Sequence, residues 1–412
     1  MTMFLFYISI LLLWWDGSNF VLIESPRISI FILFFAFTLI AIVIASLTGR
    51  RHIVKPTQLL PYGLLLVWIL FTTLTAEFRS VAYLSLYSFF NRLMLCIATA
   101  WVITTTTEIR RVLKVIIFAS IVSAGLMVLQ YTLGIGFVNP RNVKRLVAGT
   151  SWRAAIVGFY MMVPMALMAA YAILGKGGKR VWAGILAVVF AMATLYSSTR
   201  STFVGLMAVV FLLLNAKSGL GRIGSVVLGV VLVVIAGSLY TTVLPESLDR
   251  LLTKTEVAGE DIRMDFLWPK AWQMFKENPI IGTGPGGFYA QTGWSVHNSV
   301  LEMAAEMGVW GGLLYVIALA LPFFYFRRAK KRLWRTRDGW IWVGLYCGYP
   351  GMVIGTVLHG FGGWMPSLWL LIGLGLATRN VAEREYEMEM AEARILAAEE
   401  EAGWSPPVGQ PA

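Results

Sequence analysis

The sequence predicts an all-α polytopic membrane protein, and three observations support this fold class. Hydrophobic residues make up 58% of the 412-residue chain and charged residues 14%, and the mean hydropathy is +0.72. These values lie outside the range of soluble globular domains. Apolar stretches recur that approach or exceed the ~20 residues with which a helix crosses the hydrocarbon core of a bilayer. Arginine and lysine residues cluster in alternate connections between these stretches, as the positive-inside rule describes.

About twelve such stretches are predicted to span the membrane as helices. In chain order they cover residues 2–15, 28–48, 59–75, 81–104, 115–133, 155–174, 181–196, 202–215, 223–244, 303–326, 340–358 and 365–377. The first stretch lacks the basic n-region and the small-residue cleavage site of a signal peptide, so we interpret it as a short span. Cys96 and Cys347 lie inside spans, and they predict neither a disulfide framework nor a metal site.

The basic clusters set the predicted orientation. With the amino terminus inside, the clusters that fall on the cytoplasmic side are Arg50-Arg51-His52, Arg110-Arg111, Lys179-Arg180, Lys217 with Arg222, and residues 327–332. Both termini are therefore expected in the cytoplasm, and the net charge of +12 reflects topology, not a nucleic-acid partner. One outer connection, residues 134–153, is also basic, and it either holds an anionic ligand or is merely solvated.

The chain divides into a transmembrane domain, residues 1–378, and a cytoplasmic tail, residues 379–412. Within the first domain, the long polar interruption at residues 245–298 predicts one large loop on the outer face. In the tail, glutamates alternate with apolar residues from Glu383 to Glu392 in a helix-forming composition. This acidic helix either docks on the basic residues 327–337 or stays solvated, and its composition favours the solvated state.

Arg200 is predicted at the outer mouth of the bundle, in the polar turn Ser197-Ser198-Thr199-Arg200-Ser201-Thr202 between two spans. One interpretation is an interfacial anchor, which is common for arginine at the end of a span. The other is a guanidinium group that binds phosphate oxygens, assisted by the neighbouring hydroxyls. The second interpretation is favoured.

Arg263 opens an amphipathic stretch that reaches Glu277 and carries aromatic residues for one apolar face. We predict a helix on the membrane surface, beginning or kinking at Pro269 because proline lacks a backbone donor. Arg263 either faces the outer mouth or pairs with Asp261 or Asp265, and an exposed pair of that kind would contribute little.

Gly282, Gly284 and Gly287 match the pattern G-x-G-x-x-G, but no strand precedes them, so a dinucleotide site is rejected. With Pro285, these glycines predict a tight reversal that lets backbone amides approach the outer mouth.

His297 is the sharpest catalytic candidate. It precedes Ser299-Val300-Leu301-Glu302, a capping-box pattern at the start of a span, where the helix dipole favours a neutral imidazole. A neutral histidine beside two arginines suits a base that activates an acceptor next to a diphosphate. The alternative is a histidine that only bonds a loop carbonyl.

Glu302 and Glu306, one turn apart, are predicted to orient the base or balance the arginines. His359 is also placed outside, but its glycine-rich setting suits a loop turn equally well.

Three motifs follow one another in a characteristic order. The arginine-containing turn comes first, the outer loop then ends in Asn278-Pro279-Ile280-Ile281-Gly282-Thr283-Gly284, and His297-Asn298 precedes Glu306-Met307-Gly308-Val309-Trp310-Gly311. This order resembles the O-antigen ligase and polymerase family of bacterial envelope proteins. The resemblance is specific over about residues 191–326. It implies a glycosyltransferase fold of the C superclass with a large periplasmic loop, located in the bacterial inner membrane.

The resemblance also implies roles for individual residues. Arg200 and Arg263 would bind the diphosphate of an undecaprenyl-pyrophosphate-linked glycan, with Arg250 or Lys254 as alternatives to Arg263. His297 would activate an acceptor hydroxyl on lipid A core, a glycan or a protein for inverting attack. The supporting residues are Asn298, Glu302, Glu306, Gly282 and Gly284. Neither a metal nor another cofactor is implied, and the remaining partners are membrane lipids.

Two rivals come from other functional classes. A lipid-linked sugar transporter would place charges deep inside its spans, and Arg92 is such a residue. The other ionisable candidates collect at one outer mouth, which favours transfer over transport. A non-catalytic scaffold for envelope assembly has the acidic tail as its only support. Within the family, the motifs do not separate a ligase from a polymerase or a protein glycosylating enzyme.

Overall fold

The structure is a computed structural model that describes residues 2–13, 21–24, 27–48, 56–133, 154–197, 199–216, 262–360 and 365–401. Its helices are α1 (Thr2–Leu13), α2 (Ile30–Leu47), α3 (Pro56–Leu74), α4 (Arg79–Val102), α5 (Thr106–Leu133), α6 (Ala154–Leu174), α7 (Lys179–Tyr196), α8 (Arg200–Ala216), α9 (Trp268–Glu277), α10 (Gly287–Thr292), α11 (Ser299–Leu333), α12 (Gly339–Val357) and α13 (Pro366–Glu401). A π-helical turn, Arg263–Leu267, leads directly into α9.

Two short strands, β1 (Val21–Glu24) and β2 (Arg27–Ser29), pair antiparallel between α1 and α2. This hairpin is a local feature, and the other regular elements of the described residues are helices, as the all-α prediction expected. Its β-branched residues Val21, Ile23 and Ile28 favour extended structure.

Six helical segments are long and apolar enough to cross a membrane: Thr57–Leu74, Arg79–Val102, Thr106–Gln130, Ile156–Leu174, Lys179–Tyr196 and Ser299–Leu333. Shorter apolar helices cover Thr2–Leu13, Phe31–Ala45 and Arg200–Ala216. These segments fit the predicted polytopic membrane protein. The predicted span at residues 223–244 and the outer loop as far as residue 261 lie outside the described residues, so the twelve-span count and the large loop stay predictions.

Helix α3 shows how the bundle faces lipid. Its apolar residues divide into two stripes at helical spacing. One stripe is buried and comprises Tyr62, Leu65 and Ile69, and the other is exposed and comprises Leu60, Leu64, Val67, Phe71 and Leu74. A continuous exposed apolar stripe is unfavourable in water and favourable against hydrocarbon chains. We therefore place the exposed stripe of α3 against the lipid of the membrane.

Pro322 in the middle of α11 is accommodated by its neighbours. Proline lacks the N–H that would bond the carbonyl of Ala318, four residues earlier. The hydroxyl of Tyr62 in α3 donates to the Ala318 carbonyl at 3.0 Å, and that of Tyr349 in α12 donates to the next carbonyl, of Leu319, at 2.7 Å. Two tyrosines thus satisfy the backbone that the proline opens, as a buried span requires.

Helix α11 is broken at Gly308, whose φ of 66° and ψ of −170° are not helical. The hydroxyl of Tyr315 donates to Ser299 Oγ at 3.4 Å, although 16 residues separate them. In a straight helix such residues lie about 24 Å apart. The helix therefore folds back into a short arm, residues 299–307, and a long arm, residues 309–333. The predicted single span at residues 303–326 is wrong at its start, because only glycine readily takes this backbone turn.

The opposite end of the bundle is closed by side-chain pairs. The amides of Gln58 in α3 and Asn380 in α13 exchange two hydrogen bonds, of 2.7 and 3.0 Å. Arg110 of α5 pairs with Asp338, just before α12. Arg328 lies 3.5 Å from Glu383, and the Arg332 guanidinium lies 4.7 Å from the centre of the Tyr386 ring. The acidic tail thus begins docked on the basic cluster, whereas its residues 387–395 are exposed, as the solvated alternative described.

Candidate active site

His297 lies between α10 and the short arm, and its backbone is left-handed, with a φ of 58°. Among the described residues it is the only non-glycine with positive φ. Such a conformation costs on the order of 1 kcal/mol or more and persists where neighbours hold it in place, often at functional sites. On one side, the Trp268 indole donates to the Val296 carbonyl at 3.1 Å. On the other side, Asn298 caps the short arm.

The cap corrects a detail of the sequence interpretation. Asn298, not Ser299, is the N-cap, and its side chain accepts a hydrogen bond from the Leu301 amide at 3.2 Å. Asparagine favours this position because its short side chain reaches the orphan amides of the first turn. Ser299 is left to bond Tyr315 across the two arms. The supporting role predicted for Asn298 is therefore structural: it starts the short arm one residue after His297.

The His297 ring meets a backbone carbonyl. Its Nδ1 lies 3.1 Å from the carbonyl oxygen of His359, which is 62 residues away in the chain. A carbonyl only accepts hydrogen bonds, so Nδ1 carries the hydrogen, and in the neutral ring Nε2 is the basic nitrogen. The alternative of a histidine that bonds a loop carbonyl is thus observed. The role of a base stays a prediction, and this bond selects the tautomer that such a base would need.

His359, for which the sequence left a site residue and a loop turn equally open, is a neighbour of His297. The two rings lie 5.5 Å apart between centroids, at 71°. On its other sides, His359 Nδ1 is 3.3 Å from the hydroxyl of Ser201 in α8, and its ring meets Phe159 of α6 edge-on at 5.7 Å. Its position outside the membrane, beside a glycine, was the signal available in the sequence. That signal did not indicate which residue it would contact.

Arg200 begins α8 and is exposed, directly before the Ser201 that contacts His359. The structure therefore brings the start of this helix to the two histidines. The hydroxyls expected to assist Arg200 have another role. Those of Ser197, Thr199 and Thr202 are buried and bond within the turn itself. Ser198 lies outside the described residues, so Ser201 is the described hydroxyl of this turn that contacts the candidate site.

Arg263 is half-buried in the π-helical turn that precedes α9. The stretch ends at Glu277, as predicted, and proline stands in the first turn of α9. One apolar cluster joins this segment to the site and comprises Leu267, Ala271, Met274, Phe288, Val296 and Ala305. Because Val296 precedes His297, the Arg263 segment and the histidine belong to one packing unit. The alternatives Arg250 and Lys254 lie outside the described residues.

The glycine loop docks into the break of α11. Amides of Thr283 and Gly284 donate to the carbonyls of Ala305 and Glu306 at 3.3 and 2.8 Å. The Trp68 indole donates to the Met307 carbonyl at 2.8 Å, and the Gly282 amide donates to Asn278 at 2.9 Å. The prediction of a tight reversal is confirmed. The amides of Gly282 and Gly284, however, bond protein carbonyls instead of pointing at the outer mouth. The acceptor for Gly282 is Asn278 at the end of α9, and the acceptor for Gly284 is Glu306, whose carbonyl the interrupted helix would otherwise leave unsatisfied.

Glu306 caps α10. Its two carboxylate oxygens accept from the amides of Gly286 at 2.8 Å and Phe288 at 3.2 Å, and its side chain is buried. These contacts give Glu306 a structural role in place of the predicted role of orienting the base. Glu302 is buried one turn earlier, and its Oε2 accepts no hydrogen bond from the described residues. Within these residues, no three His, Cys, Asp or Glu side chains form a group that would hold a metal ion.

Comparison with known families agrees with this site. Residues 185–316 match the family described as O-Antigen ligase, which is about a third of the 412-residue chain. The match extends from α7 into the long arm and contains Arg200, Arg263 and His297. No curated protein matches the chain significantly. The match over residues 185–316 confirms the family resemblance seen in the sequence over about residues 191–326, and the long apolar helices fit a multi-pass membrane protein.

Proposed function

We propose, from the match of residues 185–316 to the O-antigen ligase family, that this chain is a membrane glycosyltransferase that moves a glycan from undecaprenyl pyrophosphate to an acceptor hydroxyl. The site faces the periplasm, the protein lies in the bacterial inner membrane, and both termini are cytoplasmic. The observation that carries the proposal is the 3.1 Å contact between His297 Nδ1 and the His359 carbonyl. It leaves Nε2 as the nitrogen without a hydrogen in the neutral ring, inside the region that matches the family.

His297 is the general base in this proposal. With Nδ1–H donated to the carbonyl, Nε2 takes the proton of the acceptor hydroxyl as that oxygen attacks the anomeric carbon of the donor. The bond from this carbon to the diphosphate oxygen breaks at the same time, and the configuration at the carbon is inverted. A positioned base of this kind contributes roughly 10²–10⁴-fold to the rate.

Arg200 and Arg263 stabilise the leaving diphosphate. Guanidinium groups match phosphate oxygens with paired N–H donors and stay charged at any physiological pH. Arg200 also stands at the amino terminus of the 17-residue helix α8, where the helix dipole adds positive potential. This arrangement stabilises the developing negative charge without a cation, so we propose a metal-independent reaction.

Within the family, the acceptor decides between two activities. A ligase places the glycan on lipid A core or on a protein hydroxyl. A polymerase places it on a second lipid-linked glycan. The same base and arginines serve both, so the experiment has to vary the acceptor.

The test is transfer by purified protein in liposomes that contain undecaprenyl-pyrophosphate oligosaccharide, with lipid A core or with no added acceptor. Wild type is compared with His297→Ala, and His52→Ala, a histidine of the predicted cytoplasmic loop, is the matched control. We expect glycosylated core for a ligase and longer lipid-linked glycan for a polymerase. In both cases His297→Ala should lose activity, and His52→Ala and EDTA-treated wild type should keep it. Full transfer by His297→Ala would refute the assignment of the base, and movement of lipid-linked sugar without transfer would favour a transporter.

A further inference from the structure

We propose that His359 is a positioning residue for this transfer, which rests on the function proposed above. Its carbonyl orients the base, and its side chain fixes that carbonyl to α8, the helix that begins at Arg200. His359 lies outside residues 185–316, which match the family, so the match assigns it no role. The argument follows from the contacts on both sides of this residue.

The first contact is made by the backbone. His359 stands in the turn that ends α12, where its own amide bonds the Thr356 carbonyl at 3.2 Å and the Gly360 amide bonds the Val357 carbonyl at 3.3 Å. The carbonyl of His359 points the other way and meets His297 Nδ1. The orientation of the base therefore depends on where the end of α12 is held.

The second contact is made by the side chain. Ser201, only 4% exposed, lies 3.3 Å from His359 Nδ1 through its hydroxyl, and the Phe159 ring packs against the imidazole edge-on. The imidazole is thus held by α8 through a polar contact and by α6 through an aromatic one. A side chain without a polar atom at the position of Nδ1 would lose the attachment to α8.

The third contact shows how closely the turn fits His297. Gly360 has a φ of 78°, and a Cβ at this residue would lie 2.7 Å from His297 Cα and 2.9 Å from its backbone nitrogen. Any larger residue would push the turn away from the base. The backbone of His297 and the end of α12 are therefore fitted to each other, and a small shift of one changes the contact at Nδ1.

Together these contacts connect the base to the proposed diphosphate site. The path runs from Arg200 to its neighbour Ser201, then to the His359 ring, and from the His359 carbonyl to His297. A misplacement of about 1 Å between reacting groups costs up to roughly 10²-fold in rate. Loss of the His359 side chain should therefore slow the chemical step more than it weakens donor binding.

The test compares three substitutions at this position. Asparagine places an amide atom near the position of Nδ1, glutamine places one near Nε2, and alanine places neither. In the liposome assay, with the acceptor that supports wild-type transfer, we expect His359→Ala to lower kcat by roughly 10–100-fold with the donor KM within about threefold. His359→Asn should restore kcat to within about threefold of wild type, and His359→Gln should not.

A second variant tests the attachment to α8. Ser201→Ala removes the partner hydroxyl, so it should lower kcat in the same direction, and the double variant with His359→Ala should be no slower than His359→Ala alone. His52→Ala is the control for loss of a histidine elsewhere. Thermal unfolding in detergent should give Tm values for His359→Asn and wild type within a few degrees.

Several outcomes would overturn the inference. Wild-type kcat in His359→Ala would do so, as would equal losses of kcat in the alanine and asparagine variants together with a lower Tm, which would indicate packing alone. A rise in donor KM at unchanged kcat would instead make His359 a binding residue. The proposed function fails separately: absence of transfer by wild type with every acceptor refutes it, and full transfer by His297→Ala refutes the assignment of the base. An inactive His297→Ala beside a fully active His359→Ala refutes only the role of His359.

Discussion

The two ends of the helix bundle hold their polar groups in different ways. At the end that carries His297, which is the predicted outer end, polar side chains bond the backbone: buried Glu306 accepts from two amides, and half-buried His297 donates to the carbonyl of His359. At the opposite end, side chains bond each other, as in the pairs Arg110–Asp338 and Arg328–Glu383. Backbone partners have positions fixed by the fold, whereas paired side chains adjust to one another. The outer end therefore holds its polar side chains in fixed positions, whereas the side-chain pairs of the opposite end join neighbouring helices.

Burial separates the outer groups from the ion pairs of the opposite end, although the Gln58–Asn380 pair there is also buried. Glu306 is 2% exposed and Ser201 4%, whereas the side chains of Arg328 and Glu383 are 53% and 22% exposed. Exposed ion pairs contribute about 0–1 kcal/mol, because solvent screens them and long side chains lose entropy. A buried group that loses its partner costs about 1–3 kcal/mol. Substitutions at the outer end should thus have the larger effects, first on transfer and then on stability.

The largest effect is expected at Arg200. Replacement by alanine removes a charged donor from the leaving diphosphate and should lower kcat/KM by roughly 10²–10³-fold, about 3–4 kcal/mol, in the liposome assay. Arg263→Ala should act in the same direction. Arg200→Lys should recover part of the activity, because lysine keeps the charge but not the paired N–H donors.

Arg180 offers a matched control. It is also an exposed arginine in the first turn of a helix, α7, and its Nε donates to the Ala172 carbonyl at 3.0 Å near the opposite end. Arg180→Ala should leave transfer within about twofold of wild type, as expected for a surface position. Equal losses in Arg180→Ala and Arg200→Ala would remove the distinction between the two ends.

Next in size is the effect of Gly308→Ala. The left-handed backbone disfavours alanine, and its Cβ would meet the backbone of Ile280 in the docked loop. We expect a loss of about 3 kcal/mol of unfolding free energy and loss of transfer, measured as a lower Tm in detergent and in the liposome assay. Gly184→Ala is the control, because its Cβ would lie 3.8 Å from Ala172 in an ordinary contact. A Tm for Gly308→Ala equal to that of Gly184→Ala would argue against a rigid break.

The Gly308 break also marks the limit of what the sequence could predict. The long apolar stretches identified the helices, since length and composition alone decide whether a segment suits a membrane. Residue order around His297 identified the family. Residues 299–333, in contrast, are continuous enough in hydropathy to resemble one span, and a glycine in such a stretch does not indicate whether it takes a helical or a left-handed conformation.

The contact between His297 and His359 was beyond the sequence for a different reason. It joins residues 62 apart, and it depends on how the end of α12 is seated against α6 and α8. Periodicity predicts which face of a helix is buried, but not where its last turn lies relative to another loop. The role of Glu306 was missed likewise, because its partners, the amides of Gly286 and Phe288, belong to a loop whose docking follows from the break.

A smaller effect is expected at Glu306. Glu306→Ala leaves the buried amides of Gly286 and Phe288 without acceptors and should cost about 2 kcal/mol, whereas Glu306→Gln keeps one acceptor oxygen and should cost about 1 kcal/mol. Hydrogen exchange at these two amides and Tm would both report the loss. The exposed Glu277 at the end of α9, replaced by alanine, should change stability by less than about 0.5 kcal/mol. Slow exchange at both amides in Glu306→Ala would contradict the capping role.

The smallest effect is expected at the opposite end, at Glu385, which lies beyond the predicted spans. Partial burial raises the pKa of this carboxyl, and the nearby Asp338 and Glu389 add to the increase. A hydrogen bond with Thr106 and the charge of Arg110 lower the pKa by less. Because this pKa is higher in the folded state than in the unfolded chain, the protonated carboxyl stabilises the folded state at low pH. This stabilisation is lost as the pH rises through the folded-state pKa. Glu385→Gln should therefore raise Tm slightly at pH 8, by about a degree, and leave it unchanged near pH 4, where the unfolded chain is also largely protonated. A lower Tm for Glu385→Gln at pH 8 would mean that the ionised carboxylate of Glu385 stabilises this end of the bundle. The side-chain pairs at this end would then contribute more to stability than exposed, adjustable ion pairs do.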